Sequence, residues 1–386
     1  MNTFLFAAML LAIGVSNLGA AMVAPLLPVY ATELGASGVE IGLIFASFSL
    51  SRSVFLPAVG ELAERWGRRS FILGGLFLCT IVSIGLGTAD TVTQIVVFRT
   101  IQGLGAAMIF PVVRSLIGDM TPVGYEGRVM GLFNAAATAG LAVGPVFGGL
   151  IKDYFGIKAA FYGMGLMSLT SLAISWKSLP RSKAKAYESS GKKVGVHWWN
   201  DALLTGLLVL RFGTTIGTGI SWSFLPIYCQ KFGLSATQVG TLITVTLVLP
   251  SLLQPYFGRL ADRFDRMKMI IWGGVSSSIC LAGLPLFSNF AGMLAINMIM
   301  GLTIGVLVPP MLAVSIDIGR RTGRMTPVIS MLELAFSVGM VAGPILAGMV
   351  NEYLGLDQVF YIGGGFGLIS CAPFFFAAKE KRMAGA

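Results

Sequence analysis

The chain has 386 residues, of which 55% are hydrophobic and 11% charged, and its formal net charge is +10. Soluble domains average about 25% charged residues, so most of this surface is expected to face lipid. The excess of basic residues does not indicate nucleic acid, because Lys and Arg collect in the cytoplasmic loops of membrane proteins. Neither a metal, a cofactor nor a nucleotide-driven pump is indicated, since the sequence has no CxxC spacing, a single histidine and no GxxxxGK[ST] run.

Twelve apolar runs, separated by short polar breaks, are each suited in length to a helix that crosses a bilayer. In chain order they cover residues 4–30, 40–59, 70–89, 92–117, 128–151, 159–178, 201–229, 238–257, 269–288, 291–316, 327–350 and 358–378. The first run is too long for the apolar region of a signal peptide, and no Lys or Arg precedes it, so we expect it to be retained. The sequence therefore predicts an all-α integral membrane protein with twelve transmembrane helices.

The basic residues are distributed unevenly between the predicted loops. Most lie in the even-numbered loops and the C-terminal tail, whereas the odd-numbered loops hold only Lys152, Lys158 and Lys231. The even-numbered loops and both termini are therefore expected to lie in the cytoplasm. The longest loop, 179–200, is basic and is predicted to be a flexible cytoplasmic linker between an N-terminal half, 1–178, and a C-terminal half, 201–386.

An internal repeat relates the two halves. Asp119 corresponds to Asp317 at an offset of 198 residues, and the offset becomes 199 where Gly144 corresponds to Gly343. Because each repeat contains an even number of spans, the two six-helix halves should share one orientation and be related by an axis along the membrane normal. This arrangement is typical of transporters that rock around a site at the middle of the membrane. A duplicated channel or receptor is the alternative.

The loop after the second span carries a recognisable motif. It reads GELAERWGRR over Gly60–Arg69, which resembles the loop motif G-x-L-a-D-r-x-G-r-k of the major facilitator superfamily, with Glu64 in place of Asp. The eighth loop repeats it over Gly258–Arg266, with Asp265 where the motif has Gly. The resemblance covers essentially the whole chain. It implies two pseudo-symmetric six-helix bundles, the major facilitator fold, and a transporter rather than an enzyme.

Opposite charges beside the helix ends of this loop can hold the two halves together on the cytoplasmic side and release them when the halves rock. The residues predicted to form this cytoplasmic gate are Gly60, Glu64, Arg65, Gly67, Arg68, Asp119, Arg128, Asp262, Arg263 and Arg266. The alternative is that these charges serve only to set the membrane topology.

Two further motifs lie within spans. The run from Arg99 to Ala107 resembles the fourth-helix motif of the family, whose arginine is associated with proton movement; a packing role for Arg99 is the alternative. The fifth span resembles the motif g-x-x-x-G-P-x-x-G-G, which is associated with the drug–proton antiporter branch and favours export. We interpret its residues as a helix-five hinge: Gly140, Gly144, Pro145, Gly148 and Gly149.

Four arginines and one clear acid remain within spans, and a charge in hydrocarbon costs at least about 2.5–3.5 kcal/mol, so each should face a cavity or a partner. They are Arg52, Arg99, Arg114, Arg211 and Glu333. Glu333 is predicted to carry the coupling proton, because a carboxyl group removed from water takes up a proton more readily. A permanent salt bridge with Arg52 or Arg211 is the alternative. Arg114 is expected to snorkel to the interface or to pair with Asp119.

The seventh span carries a polar stripe that begins at Arg211 and continues through Thr215, Thr218 and Trp222 on one helical face. In the family, the first, fourth, seventh and tenth helices line the substrate cavity. The resemblance therefore places in this cavity Asn17, Arg52, Arg211, Thr215, Trp222 and Asn297. Because the planar fork of arginine suits carboxylate or phosphate, we expect anionic, zwitterionic or neutral amphipathic substrates rather than simple organic cations.

The sequence thus predicts a monomeric secondary active transporter of the inner membrane that exports small organic or amphipathic molecules by proton-coupled alternating access. A metabolite or organic-anion importer or facilitator of the same fold is the first alternative. A non-transporting membrane receptor is the second, and the lack of a sizeable soluble domain in the sequence argues against it. No cofactor and no nucleic-acid partner is expected.

Overall fold

The computed structural model describes residues 3–121, 125–179, 201–322 and 325–384. Within these ranges the chain forms α-helices and one short 3-10 turn, and it contains no strand. In chain order the helices are α1 Thr3–Val23, α2 Leu27–Glu33, α3 Gly38–Trp66, α4 Arg68–Gly87, α5 Val92–Met120, α6 Glu126–Phe155, α7 Ile157–Ser178, α8 Ala202–Lys231, α9 Ala236–Arg263, α10 Arg266–Gly283, α11 Phe290–Thr322, α12 Met325–Leu354 and α13 Leu356–Ala384. Residues 180–200, which make up nearly all of the predicted linker, lie outside the described part.

Twelve helical segments of the described chain are long and apolar enough to cross a membrane. The first combines α1 and α2, which are separated by a short turn around Pro25, where the proline ring cannot donate a helical hydrogen bond. Each of the helices α3–α13 supplies one further span. The predicted all-α membrane fold with twelve transmembrane helices is confirmed.

Several helices continue past the apolar runs from which they were predicted. The second span was expected to end at residue 59, whereas α3 reaches Trp66. The added turns contain Glu61, Leu62, Ala63, Glu64 and Arg65, which are all strong helix formers. The charged loop motif is therefore carried largely on the end of a helix, which fixes the positions of its side chains.

The chain divides into two compact units. Unit 1 comprises Met1–Ala36, Leu43–Ser189 and Gly233–Thr244, and unit 2 comprises Ser37–Gly42, Ser190–Phe232 and Val245–Ala386. Each unit thus includes a short segment from the other half of the sequence. The first turns of α9 belong to unit 1, and the first turn of α3 belongs to unit 2.

In unit 1, helix α6 packs against α1 through glycine. A Cβ atom added to Gly140 or Gly148 would overlap a backbone carbonyl of α1, and one added to Gly144 would lie 2.5 Å from the Cβ of Ala21. Small residues at this spacing let two helices approach closely where no hydrophobic effect between helices drives their association. The four-residue spacing in the sequence therefore serves helix packing.

Unit 2 uses the same device between α8 and α12. A Cβ atom added to Gly339 would lie 2.8 Å from the Cβ of Thr215, and one added to Gly343 would lie 2.5 Å from the Ile216 carbonyl oxygen. Around this seam, buried apolar side chains of α8, α10, α11 and α13, including Leu207, form the core of the unit.

We expect Gly148→Ala to destabilise the protein, because the added methyl group meets the backbone of Met22, which cannot move aside as a side chain can. Overpacking of this kind costs about 1–3 kcal/mol. Gly131→Ala is the matched control on the same helix, because its added methyl group meets nothing within 4 Å. The midpoint of thermal unfolding in detergent checks the difference, and equal midpoints for the two variants would contradict it.

Candidate functional site

The turn that carries the loop motif is built differently in the two units. Between α3 and α4, Gly67 has φ 97°, a left-handed conformation that favours glycine. At the corresponding turn before α10, Asp265 has φ −65°, and its carboxylate accepts hydrogen bonds from the backbone N–H groups of Met267 and Lys268. The aspartate caps the N-terminus of α10. The departure of the eighth loop from the motif is therefore a change from a glycine turn to a helix cap.

The charges of the first loop motif converge on Arg68, at the start of α4. Its guanidinium donates to the carboxylate of Asp119, in the last turns of α5, at 2.5 Å and lies 3.9 Å from the carboxylate of Glu64, on α3. The Arg68 side chain is only 21% exposed. This Arg68 cluster ties together the ends of three helices within unit 1.

An equivalent Arg266 cluster lies in unit 2. The guanidinium of Arg266 donates to Asp317 at 2.7 Å, lies 3.5 Å from Asp262, and also bonds the carbonyl oxygen of Ala261. The sequence analysis predicted Asp262 and Arg266 but missed Asp317. The repeat contained the signal, because Asp317 stands 198 residues after Asp119.

The other residues of the predicted cytoplasmic gate are more loosely placed. Arg65 forms an exposed ion pair with Glu61, one turn earlier on α3, at 2.6 Å. Gly60 and Arg263 are exposed on their helices. Arg128 begins α6, but its side chain lies outside the described part of the structure. The gating role of all these residues stays a prediction.

Two further arginines, Arg114 and Arg69, lie near these helix ends. Asp119 is bonded by Arg68 rather than by Arg114, which is exposed on α5. Arg69, which the sequence analysis did not single out, donates to the carbonyl oxygens of Trp176 and Leu179 at 2.7 and 2.8 Å. Because the last carbonyls of a helix lack helical partners, Arg69 caps the C-terminus of α7.

At the opposite ends of the spans, unit 1 contains a second polar contact that the sequence analysis missed. The carboxylate of Asp153, in the last turn of α6, accepts hydrogen bonds from the backbone N–H groups of Ala236 and Thr237 at 3.0 and 2.8 Å, and from the Thr237 hydroxyl at 2.6 Å. Ala236 and Thr237 begin α9, so Asp153 caps this helix from 83 residues away. We call this contact the Asp153 clasp.

Unit 2 contains the equivalent Glu352 clasp. Glu352 stands 199 residues after Asp153, in the last turn of α12, and its carboxylate accepts from the backbone N–H of Val39 at 3.4 Å. Val39 lies in the first turn of α3. This clasp has a single long hydrogen bond, whereas the Asp153 clasp has three shorter ones.

The predicted helix-five hinge lies in α6, which continues through Pro145 without a break. Its residues face two different helices. Gly140, Gly144 and Gly148 pack on α1, whereas a Cβ atom on Gly149 would overlap the carbonyl of Ala236, on α9. The motif residues therefore lie at packing contacts, and their role as a hinge stays a prediction.

Arg99 and Arg52, two of the arginines within the spans of unit 1, differ in environment. Arg99 is buried, and its guanidinium donates to the Gln102 side chain at 2.7 Å and to the Ile44 carbonyl at 3.3 Å. It also lies over the ring of Phe48, 4.3 Å from the centroid. These contacts support the packing role, since they join α5 to α3. Arg52, two turns further along α3 than Ile44, is exposed.

Arg211, on α8 in unit 2, is placed differently from Arg99. Its guanidinium lies over the ring of Phe336, on α12, 4.7 Å from the centroid, but its buried Nε has no hydrogen-bond partner among the described residues. Glu333 precedes Phe336 by three residues, so both side chains lie on one face of α12. Glu333 is exposed and interacts with Arg211 by Coulombic attraction, yet no ion pair within 4.0 Å joins these two residues.

The remaining residues of the predicted substrate cavity are largely engaged within their own unit. Asn17 donates to the Ala137 carbonyl at 3.2 Å and joins α1 to α6. Thr215 is buried, and its hydroxyl donates to the backbone carbonyl one turn earlier at 2.7 Å. Asn297 is buried, and its amide likewise bonds its own helix at 2.8 Å. Thr215 and Asn297 thus occupy packing positions, whereas Trp222 is half-buried.

Comparison with known proteins assigns this arrangement to a family. The sequence profile of the Major Facilitator Superfamily matches residues 9–211 and 207–385. The chain belongs to the major facilitator superfamily. An uncharacterised transporter of the superfamily from Methanocaldococcus jannaschii is 30% identical over 364 residues, which cover 91% of this chain and 92% of that protein. The multidrug resistance protein MdtG of Salmonella paratyphi B is 25% identical over 379 residues, which cover 94% of this chain and 92% of MdtG.

Solved structures of the superfamily share the fold. A bacterial homologue of the human lysosomal transporter Spinster superimposes with a TM-score of 0.82 at 15% identity. The superposition covers 98% of this chain and 97% of the homologue. The nucleoside transporter NupG superimposes with a TM-score of 0.81 at 12% identity and covers 98% of this chain and 100% of its own. At such identities the likeness shows the fold alone. Together with the family assignment, it makes this chain a multi-pass membrane transporter rather than an enzyme.

We expect Asp119→Asn and Asp317→Asn to impair transport similarly, because each removes an ion pair from equivalent clusters. Exposed pairs contribute up to about 1 kcal/mol, so each change shifts a gating equilibrium by up to about fivefold without unfolding the protein. Turnover in proteoliposomes, measured beside the thermal unfolding midpoint, checks this. Glu61→Gln is the control, because it removes an exposed ion pair of the same loop. Normal turnover in both aspartate variants would contradict a gating role.

The two clasps should contribute unequally to stability. Loss of a helix N-cap costs about 0.5–2 kcal/mol, so Asp153→Ala should destabilise the protein by an amount in this range. Glu352→Ala should cost less, because it removes one hydrogen bond of 3.4 Å. The thermal unfolding midpoints of both variants in detergent test this difference. A larger loss of stability for Glu352→Ala than for Asp153→Ala would contradict it.

Proposed function

We propose that this transporter exports small organic or amphipathic molecules across the inner membrane in exchange for protons. In this proposal, the even-numbered loops and both termini lie in the cytoplasm. The transporter is a monomer and works by alternating access between the halves 1–178 and 201–386. It is supported by the full-length similarity to MdtG, which is named a multidrug resistance protein, and by the fifth-helix motif. The observation that carries it is the environment of Glu333.

A coupling group must be ionisable, accessible to protons and free to change its charge during the cycle. Glu333 lies in the first third of α12, is exposed, and forms no ion pair with any described residue. No permanent salt bridge therefore holds it in this structure. Arg211, on the neighbouring helix α8, attracts it without direct contact. These features suit a group that changes its charge between two states of the transporter.

The polar contacts at the helix ends suit an alternating cycle energetically. In each unit, the arginine cluster lies at one end of the spans and the clasp lies at the other. Each clasp joins a helix of one sequence half to a helix of the other. Exposed ion pairs contribute up to about 1 kcal/mol and helix caps about 0.5–2 kcal/mol. Contacts of this size can break and re-form in every cycle, so we assign the clusters to the cytoplasmic gate and the clasps to the opposite one.

An importer or facilitator of organic anions is the second candidate. It is favoured by Arg211, whose buried Nε has no acceptor among the described residues. A guanidinium in that position suits a carboxylate or phosphate group of a substrate. The similarity to MdtG favours export over this reading.

Inverted membrane vesicles separate these functions. With an imposed pH gradient, acidic inside, the wild type should accumulate members of a panel of cationic, zwitterionic, anionic and neutral amphipathic compounds, and a protonophore should abolish the accumulation. Glu333→Gln should bind the same compounds and exchange them downhill, yet lose the gradient-driven accumulation, because the amide cannot change charge. Glu61→Gln is the control. If Glu333→Gln still accumulates substrate in response to the gradient, another group carries the proton.

A further inference from the structure

The charges of Arg211 and Glu333 form an unusual pair within unit 2. Opposite charges inside a transmembrane bundle normally pair or hydrogen-bond with one another. Arg211 and Glu333 instead attract each other without an ion pair within 4.0 Å, and no described residue accepts a hydrogen bond from the buried Nε of Arg211. The structure thus holds a cation and an anion on neighbouring helices without an ion pair between them.

The ring of Phe336 helps to fix the position of the Arg211 guanidinium. The guanidinium carbon lies over the ring, 4.7 Å from its centroid, in a cation–π contact. The backbone around it is rigid, since Gly339 and Thr215 bring α12 and α8 into close approach beside Arg211. The guanidinium is therefore pre-organised, which lowers the entropic cost of binding an anionic group.

We infer that Arg211 and Glu333 are the two ends of one binding site for zwitterionic amphipathic substrates. The anionic group of the substrate lies on Arg211, and its cationic group lies on the carboxylate of Glu333. The inference rests on the proposed function and adds to it the charge class of the substrate.

The arrangement of charge selects a zwitterion over the other classes. A simple cation would pair with Glu333 but leave the buried Nε of Arg211 without an acceptor. A simple anion would satisfy Arg211 but place a second negative charge beside Glu333. A zwitterion provides an acceptor for Arg211 and a cation for Glu333 at the same time.

Among the described side chains of the helices packed against α12, the other charged groups lie near the helix ends. On α8, the other charges are at its ends, Asp201 and Lys231. On α11 they are Asp317, Arg320 and Arg321, in the last turns, and Asp317 is bonded to Arg266. On α13 they are Asp357 in the first turn and a group that begins at Lys379 near the C-terminus.

Four tryptophan derivatives test the inference, because they share one indole ring and differ in charge. Tryptophan is zwitterionic, its methyl ester is cationic, N-acetyltryptophan is anionic, and N-acetyltryptophan methyl ester is neutral. Calorimetric titration of the purified transporter should show tryptophan binding at least about tenfold tighter than each of the others, since each loses one or both charge-assisted hydrogen bonds.

Variants of each charge separate the two ends of the site. Arg211→Gln should remove the preference for tryptophan over its methyl ester, and Glu333→Gln should remove the preference for tryptophan over N-acetyltryptophan. Arg211→Lys, which keeps the charge but loses the planar fork, should give an intermediate preference and serves if Arg211→Gln does not fold. Arg114→Gln is the control, because it removes an exposed arginine of another helix and should leave the order unchanged.

Binding of any other derivative as tightly as tryptophan would overturn the inference, as would a lack of binding by all four. An order that survives both Arg211→Gln and Glu333→Gln would overturn it as well. These outcomes are separate from failure of the proposed function. If vesicles accumulate substrate in response to the gradient but the transporter does not prefer a zwitterion, proton exchange is supported and only the inferred charge class is rejected. If the transporter prefers a zwitterion but vesicles do not accumulate substrate, the binding site is supported and the proposed exchange is rejected.

Discussion

Helices in a bilayer gain no hydrophobic energy from meeting one another, so their association depends on close approach of their backbones. This constraint explains the position of the glycines. Gly140 and Gly148 bring α6 against α1, and Gly343 brings α12 against α8. Because the contacting atoms are backbone atoms, these seams cannot adapt by changing a rotamer. The helices of each unit are therefore held by contacts that tolerate little change.

Charged contacts, by contrast, are confined mainly to the helix ends, where water can solvate their charges. The Arg68 cluster and the Asp153 clasp each hold two or more helix ends through a few hydrogen bonds. Contacts of this kind are worth little individually, since solvation of the separated charges nearly replaces them. Close backbone contacts therefore hold the spans of each unit, whereas weaker polar contacts join the helix ends.

The sequence was sufficient for the parts of the structure that depend on local pattern. Runs of apolar residues predicted the twelve spans. The internal repeat also relates Asp317 to Asp119, so it could have predicted Asp317 as a member of the Arg266 cluster. The Asp153 clasp could not be predicted, because Asp153 and Thr237 are 84 residues apart and nothing local indicates that the end of α6 meets the start of α9. The polar stripe on α8 could not show that Thr215 is buried, since a hydroxyl that bonds its own helix can be buried as readily as exposed.

The repeat helps to separate structural polar groups from functional ones. Arg99 and Asn297 occupy equivalent positions, 198 residues apart, and both are buried and hydrogen-bonded within their unit. Where both repeats have a buried polar side chain that is hydrogen-bonded within its unit, packing is enough to explain the polar residue. Arg211 and Glu333 have no such explanation.

The equivalents of these two charges in the first half are Ile13, which is buried, and Asn134, which is exposed. The framework therefore forms at these positions without any charge, so packing does not require the arginine or the glutamate of the second half. Charges inside a membrane that the framework does not need are by default candidates for a functional site. The asymmetry of the repeat thus points to the same two residues as their unsatisfied contacts do.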